Sequence, residues 1–69
     1  MIKFRLEGSE YIELIKLLKV TNISSSGGEA KHLVDQGEVK LNGEVESRKR
    51  AKIRTGDKIE VFDEIIEVE

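Results

Sequence analysis

The hydrophobic positions of this chain change their spacing along the sequence, and each change predicts a new kind of element. Near the amino end, Ile2, Phe4 and Leu6 alternate with charged residues, which is typical of a strand with one buried face. The next apolar residues fall at helical spacing, and they are Ile12, Leu14, Ile15, Leu17 and Leu18. We therefore predict a short first strand and a first helix from about Glu10 to Lys19, with Ser9 as its N-cap.

A second helical pattern follows a polar turn. Residues 20–23 weaken the helix, and the serines and glycines after them favour a turn. The next apolar stripe with helical spacing consists of Ala30, Leu33 and Val34. Ser26 and Glu29 fit a capping box at its start, and Gly37 can adopt the left-handed conformation that ends a helix. We predict a second helix from residue 27 or 28 to residue 36, forming a helix-turn-helix pair with the first.

After the second helix the apolar residues alternate again. Val39 and Leu41 are separated by a charged residue, and the Asn-Gly pair at 42–43 favours a hairpin turn. A two-residue loop would place Val45 opposite Lys40, whereas a three-residue loop would place Val45 on the face of the other apolar side chains. We favour the three-residue loop, because it lets Val45 share the buried face.

The carboxyl-terminal third predicts two more strands. Residues 55–57 form a turn before the alternating segment 58–62, and Asp63 and Glu64 form a second turn before the last apolar residues. The order of these elements predicts an α+β fold with both helices on one face of a small antiparallel or mixed sheet. We expect residues 1–69 to form a single domain, because a chain this short can build only one core.

The composition leaves little material for catalysis. The chain has no cysteine and one histidine, so neither a thiolate metal site nor a nucleophile paired with a base is expected. We expect a non-catalytic protein with no metal, no other cofactor and no small-molecule substrate. No stretch resembles a signal peptide or a membrane span, so the expected location is the cytoplasm, without a membrane partner.

The charge is distributed unevenly along the chain. The formal net charge is −2, yet residues 48–54 hold five cations and no acid, while residues 59–69 hold five acids and no base. An extended segment would place one set of cations on a common face, and this set is Arg48, Arg50, Lys52 and Arg54, with Lys49, Ala51 and Ile53 on the other face. Cations spaced by about 6–7 Å suit the phosphates of a nucleic acid. A solvated edge that prevents association of sheets is the alternative explanation.

Further candidate binding residues lie on the second helix and the hairpin. The start of the helix can attract an anion through its free N–H groups, although an ordinary serine cap explains the same residues. The histidine is better explained as a partly exposed surface residue, and the asparagine as part of the turn. These candidates are Ser26, Gly27, Gly28, Lys31, His32, Lys40 and Asn42.

Residues 26–61 resemble a known family of RNA-binding domains. The segment SGGEAKHLVDQGEVKLNGEVESRKRAKIRTGDKIEV is similar to the domain named after small-subunit ribosomal protein S-four, also called the alpha-L motif, and especially to its small stand-alone bacterial members. The residues that match the family pattern are Leu33, Val34, Gly37, Val39, Leu41, Asn42, Gly43, Gly56, Asp57 and Ile59. Many members have arginine where this chain has Gly27, whereas the stand-alone members resemble this chain in having Gly-Gly there and Arg-Lys-Arg later.

The resemblance implies a non-catalytic module that binds structured RNA, either ribosomal or similar to transfer RNA, through the second helix and residues 48–54. A ribonucleoprotein complex is a further candidate partner. The aromatic residues are only Phe4, Tyr11 and Phe62, and we expect Phe4 and Phe62 on apolar strand faces. No stacking platform for single-stranded bases is therefore predicted. An acidic protein that docks on the same cations is the alternative partner.

Overall fold

The computed structural model describes all residues, 1–69, and contains two helices, a five-stranded sheet and a separate two-stranded ribbon. In chain order the elements are β1 (Ile2–Phe4), β2 (Ile12–Glu13), α1 (Leu14–Val20), α2 (Gly27–Asp35), β3 (Val39–Leu41), β4 (Glu44–Val45), β5 (Lys52–Ile53), β6 (Lys58–Val61) and β7 (Glu64–Val68). The sheet has the order β1-β7-β6-β3-β4, and β2 pairs with β5 in the ribbon. Only β1 and β7 are parallel, so the predicted α+β fold with a mixed sheet is confirmed.

The core lies between the helices and one face of the sheet. Along β6 the side chains alternate between exposed and buried, as the period of two predicts. The helices contribute residues with helical spacing, and the fully buried large side chains include Leu14, Leu17, Leu18, Val34, Val39, Ile53, Ile59, Val61 and Ile66. Each buried side chain of this size contributes about 1.5–3 kcal/mol of hydrophobic stabilisation. Neither helix has the length and apolar character needed to cross a bilayer.

Helix α1 begins four residues later than the sequence pattern predicts. Its N-cap is Glu13 rather than Ser9, and the predicted helical residues Ile12 and Glu13 form the short strand β2. Ile12 pairs with Ile53 across the ribbon. The predicted start was therefore wrong, because this pairing with a distant part of the chain takes the segment out of the helix.

Helix α2 was predicted closely, with a small difference in its cap. The Ser26 hydroxyl accepts a hydrogen bond from the Glu29 N–H at 3.1 Å, as in a capping box. The Glu29 carboxylate, however, accepts from the N–H and hydroxyl of Ser25 rather than from the N–H of Ser26. At the other end, Gly37 has a φ of +72°, and this left-handed residue ends the helix as predicted.

The hairpin between β3 and β4 has the two-residue loop, so the predicted three-residue loop was wrong. Lys40 pairs with Val45, and the Val45 side chain is 58% exposed. Asn42 and Gly43 have φ values of +51° and +90°. Positive φ at both loop residues gives the turn whose twist matches that of the strands. The local preference of Asn-Gly therefore outweighs the burial of one valine.

The turn before β7 also lies one residue earlier than predicted. Val61 pairs with Glu64, so Phe62 and Asp63 form the loop. Phe62 has a φ of +54° and is 64% exposed, and its predicted place on an apolar strand face was wrong. Such a φ in a residue other than glycine costs on the order of 1–3 kcal/mol, which the pairing of the flanking strands must offset.

Asn42 and Asp57 connect the two turns of the segment that matches the family pattern. The Asn42 side-chain amide donates to Asp57 Oδ1 at 3.0 Å and accepts from the Lys58 N–H at 2.9 Å. Asp57 Oδ2 also accepts from the Arg54 N–H at 2.8 Å. The predicted role of Asn42 in its turn is confirmed, and the same contacts hold the end of residues 48–54 against the sheet.

We expect Ile53→Ala to lower the free energy of unfolding by about 2–5 kcal/mol, because the Ile53 side chain of β5 is fully buried in the core. Chemical denaturation followed by circular dichroism measures this change. Val45→Ala is the control, and it should change stability by less than about 0.5 kcal/mol because Val45 is largely exposed. Equal effects of the two substitutions would contradict the observed burial.

Candidate nucleic-acid interface

Residues 48–54, which we call the basic segment, have a fixed backbone. The Leu14 N–H donates to the Ala51 carbonyl at 2.9 Å, and the Ile15 N–H donates to the Lys49 carbonyl at 3.2 Å. The first N–H groups of a helix lack partners within the helix, so the basic segment supplies partners for the start of α1. Ala51 and Ile53 are 4% and 0% exposed, which anchors the segment in the core.

The basic segment is not extended over its whole length, so the condition for a common face formed by strict alternation is not met. A turn at residues 49–50 is closed by the hydrogen bond from the Ala51 N–H to the Arg48 carbonyl at 3.2 Å. Only Lys52–Ile53 forms a strand. Even so, Arg48, Arg50, Lys52 and Arg54 surround Ala51 in one shallow depression of about 460 Å³. The buried residues point inward, and the cations share the outward side.

Arg48 is held by a neighbouring carboxylate. Its guanidinium donates two hydrogen bonds to Glu46, from Nε to Oε2 and from Nη2 to Oε1, both at 3.1 Å. The hydrogen bond to Arg48 lowers the pKa of Glu46 below its ordinary value of 4.5, and the carboxylate raises the pKa of Arg48. Because the pKa of Glu46 is lower in the folded protein than in the unfolded chain, the ionised carboxylate stabilises the fold at pH values above the pKa of the unfolded chain. This stabilisation is lost as the pH falls through the lowered pKa.

Lys49 is also paired, whereas the remaining three cations of the segment are not. Lys49 Nζ lies 3.2 Å from Asp35 Oδ1 at the end of α2. The ion pairs of the structure include none formed by Arg50, Lys52 or Arg54. These three side chains are exposed, and they leave a local positive charge that no carboxylate neutralises by direct contact.

The basic segment contacts the carboxyl end of α2 rather than its amino end. Asp35, the partner of Lys49, is the last residue of α2. Ser26, Gly27 and Gly28 lie at the other end of this helix, about 13 Å away along its axis. Lys31 is four residues before Asp35, so it lies on the same side of the helix as that contact. No hydrogen bond or ion pair of the structure joins the helix start to the basic segment.

The other candidate residues are spread over the surface. His32 and Lys40 are exposed. Lys40 lies in the middle of β3 opposite Glu60, within the five-stranded sheet and not in the ribbon. The Asn42 side chain is occupied by Asp57 and the Lys58 N–H. Lys40 is therefore apart from the cations of the basic segment. Asn42, in contrast, lines a depression together with Glu46 and Arg48 and shares Asp57 with the Arg54 N–H. No group of His, Cys, Asp or Glu side chains is arranged to hold a metal ion.

Two residues near the predicted site were missed by the sequence analysis. A β carbon placed on Gly27 would lie 3.8 Å from Lys19 Cδ, so a lysine of α1 lies beside the start of α2. The Tyr11 ring lies under the Lys52 ammonium, with 5.1 Å between Nζ and the ring centroid. Lys19 could have been proposed from the sequence, because it is the basic residue at the end of the first helical pattern. The place of Tyr11 depends on the ribbon, whose pairing the sequence pattern does not reveal.

Comparison with known proteins gives consistent matches over most of the chain. The model of the S4 domain matches residues 4–69. YbcJ of Escherichia coli is 42% identical over 59 residues, which cover 86% of this chain and 84% of that protein. The "Probable ribosome maturation protein RlbA" of Bacillus subtilis is 36% identical over 53 residues, which cover 77% of this chain and 75% of that protein.

A solved structure shares the fold as well. The solution structure of Escherichia coli YbcJ, described as having an alpha-L motif involved in RNA-binding, matches with a TM-score of 0.76 and 38% identity. The match covers 99% of this chain and 86% of the YbcJ chain. The helix pair, the mixed sheet and the matched sequence together show that this chain belongs to the S4 domain family.

Proposed function

We propose that this protein is a non-catalytic module that binds structured RNA, either ribosomal or similar to transfer RNA. Membership of the S4 domain family supports RNA as the ligand, as does the description of the YbcJ fold as a motif involved in RNA-binding. The name of the Bacillus subtilis relative, which refers to ribosome maturation, favours RNA of the ribosome or a ribonucleoprotein complex. An RNA ligand also fits the cytoplasmic location expected from the sequence.

The observation that carries the proposal is the group of three unpaired cations, Arg50, Lys52 and Arg54, around one depression. Phosphates of a nucleic acid are neutralised by such side chains, and the release of bound counterions then favours binding. The two arginines can grip a phosphate with paired hydrogen bonds, while the lysine acts as a point charge. The core fixes the backbone beneath them, so binding does not have to order that part of the chain.

The paired cations contribute less in this proposal. Glu46 neutralises Arg48, and Asp35 neutralises Lys49, so each pair adds no net charge to the surface. The side chains of both cations are exposed to solvent, so a phosphate can compete with the carboxylate for either of them. Lys31 and His32 would extend the surface along α2 from the contact at Asp35. In the same proposal, residues 26–28 form a second contact with RNA, beside Lys19.

Charge and shape favour a folded RNA as the ligand. The acids of residues 59–69 lie on β6, β7, the turn between them and the residue after β7, whereas the unpaired cations lie on β5 and the residues next to it. The molecule therefore presents one positive region to a polyanion despite its net charge of −2. Phosphates held in the fixed arrangement of a folded RNA can meet several of these cations at once, and contacts of this kind read shape rather than sequence.

We expect the affinity for a folded transfer RNA to depend on salt with a slope set by the three unpaired cations. If each neutralises one phosphate, the logarithm of the association constant should fall with the logarithm of salt concentration with a slope of about −2 to −3. Replacing Arg50, Lys52 and Arg54 together with glutamine should weaken binding and bring the slope close to zero. Fluorescence anisotropy of labelled transfer RNA at several salt concentrations measures both quantities.

The control for this variant replaces Lys3, Arg5 and Lys58 with glutamine. It changes the net charge equally but lies on β1, β6 and the chain after β1, away from the ribbon. It should keep the slope of the unmodified protein. Equal losses in the two variants would contradict the proposed site. If polyglutamate displaced the RNA at equal concentrations of charge, an acidic protein would become the favoured partner.

We expect Glu46→Gln to tighten binding of the same RNA, because it releases Arg48 from its carboxylate partner. One additional phosphate contact should make the salt slope steeper by about 0.7–0.9. Glu64→Gln is the control, since it removes one exposed acid that forms no ion pair. Titrations at several salt concentrations compare the two variants. A slope that stays unchanged in Glu46→Gln would show that Arg48 does not reach the RNA.

A further inference from the structure

Tyr11 is the aromatic residue that lies among the unpaired cations. Because Glu13 pairs with Lys52 and Ile12 with Ile53, the alternation of the ribbon places Tyr11, Glu13, Lys52 and Arg54 on its outward face. Tyr11 is 39% exposed, and Lys52 Nζ lies 5.1 Å from the centroid of its ring. The other exposed aromatic side chain, Phe62, is at the turn between β6 and β7.

An apolar depression adjoins the tyrosine. It has a volume of about 550 Å³, and its apolar walls are formed by Phe4, Leu6, Ile12 and Val20, with Tyr11 at its boundary. Val20, the last residue of α1, is 51% exposed. Three polar residues, Ser9, Glu13 and Lys16, also line the depression and can form hydrogen bonds with a ligand. A flat ring with polar edges fits a site of this composition.

We propose that Tyr11 stacks on an unpaired base of the bound RNA and that this base enters the apolar depression. This inference rests on the proposed function, because it requires the phosphates of the same strand to lie along Arg50, Lys52 and Arg54. Lys52 connects the two contacts, since its ammonium lies over the ring and also borders the cationic depression. The phosphate of the stacked nucleotide draws the ammonium towards it and exposes the ring face to the base.

The proposal adds a different kind of contact to the charged surface. Cations hold the backbone of any RNA, whereas a tyrosine and an apolar depression require a base that is free to leave its helix. The preferred ligand is then a folded RNA with an unpaired nucleotide beside a phosphate-rich region. The charges next to the depression favour a nucleotide over an apolar peptide, because a peptide would leave these cations without an anionic partner.

The chain offers a direct measurement, because Tyr11 is its only tyrosine and it has no tryptophan. Tyrosine fluorescence therefore reports on this single ring. Titration with a short single-stranded oligouridylate should quench most of the emission at saturation. An abasic ribose phosphate of the same length should bind, as followed by a label on its end, without quenching the tyrosine. A titration of free tyrosine amide corrects for absorption by the RNA.

Substitutions separate stacking from apolar packing. We expect Tyr11→Leu to weaken binding of the oligouridylate roughly tenfold, within the range found when a stacking residue is removed, and Tyr11→Phe to bind nearly as tightly as the unmodified protein. Binding of the abasic chain should be unchanged in both variants. Phe62→Ala, which removes an exposed aromatic ring elsewhere, should have no effect on either ligand. Circular dichroism and thermal unfolding verify that each variant is folded.

The outcomes distinguish this inference from the proposed function. If folded RNA and the abasic chain bind but the fluorescence is unchanged, or if Tyr11→Leu binds oligouridylate as tightly as the unmodified protein, stacking is wrong and phosphate binding stands. Equal quenching by the abasic chain would also overturn stacking, because no base is present. If neither folded RNA nor any oligonucleotide binds, both proposals are wrong.

Discussion

The start of helix α1 and the backbone of the basic segment depend on each other. The N–H groups of Leu14 and Ile15 donate to carbonyls at residues 51 and 49, and β2 pairs with β5 directly beside these contacts. An uncapped helix start would leave buried donors without partners, which costs stability. The same contacts set the direction of every side chain from residue 49 to residue 53. Apolar side chains enter the core, and the cations are left on the outside.

This arrangement explains how an acidic chain can present a cationic surface. The five acids of residues 59–69 lie on β6, β7 and the chain next to them, and none of them forms an ion pair with a cation of the ribbon or the basic segment. Within the basic segment, two nearby carboxylates reduce the effective number of free cations from five to three. Surface ion pairs contribute little to stability, so the effect of Glu46 and Asp35 on ligand binding outweighs their effect on the fold.

The sequence predicted those features that local chemistry determines. The bounds of α2, its serine cap and the glycine that ends it follow from residues that are neighbours in the chain. The start of α1 could not be predicted in this way, because Ile12 and Glu13 fit a helix locally and become a strand only through residues 52 and 53. The predicted length of the first hairpin loop was wrong for a different reason, because the turn preference of Asn-Gly outweighs the gain from burying Val45.

The candidate site was likewise predicted only in part. The alternation of residues 48–54 placed Ala51 and Ile53 on the face opposite the row of cations, and both residues are buried in the structure. Arg48 pairs with Glu46, a local partner only two residues away in the chain that was not predicted, whereas the ion pair of Lys49 requires a contact with α2, which the pattern does not contain. The contact of Tyr11 with Lys52 likewise depends on the pairing of the ribbon. One local ion pair and one contact between distant segments therefore decide which of the predicted cations are free.

RNA is proposed to meet the fixed, outward side of the ribbon and the basic segment. The decisive experiment is nuclear magnetic resonance of the isotope-labelled protein during titration with a folded transfer RNA. The amide and guanidinium signals of residues 50–54 and the amides of residues 11–13 are expected to shift first and most, while the signals of β7 stay in place. Shifts concentrated on β7, with the signals of residues 50–54 unchanged, would show that RNA binds elsewhere.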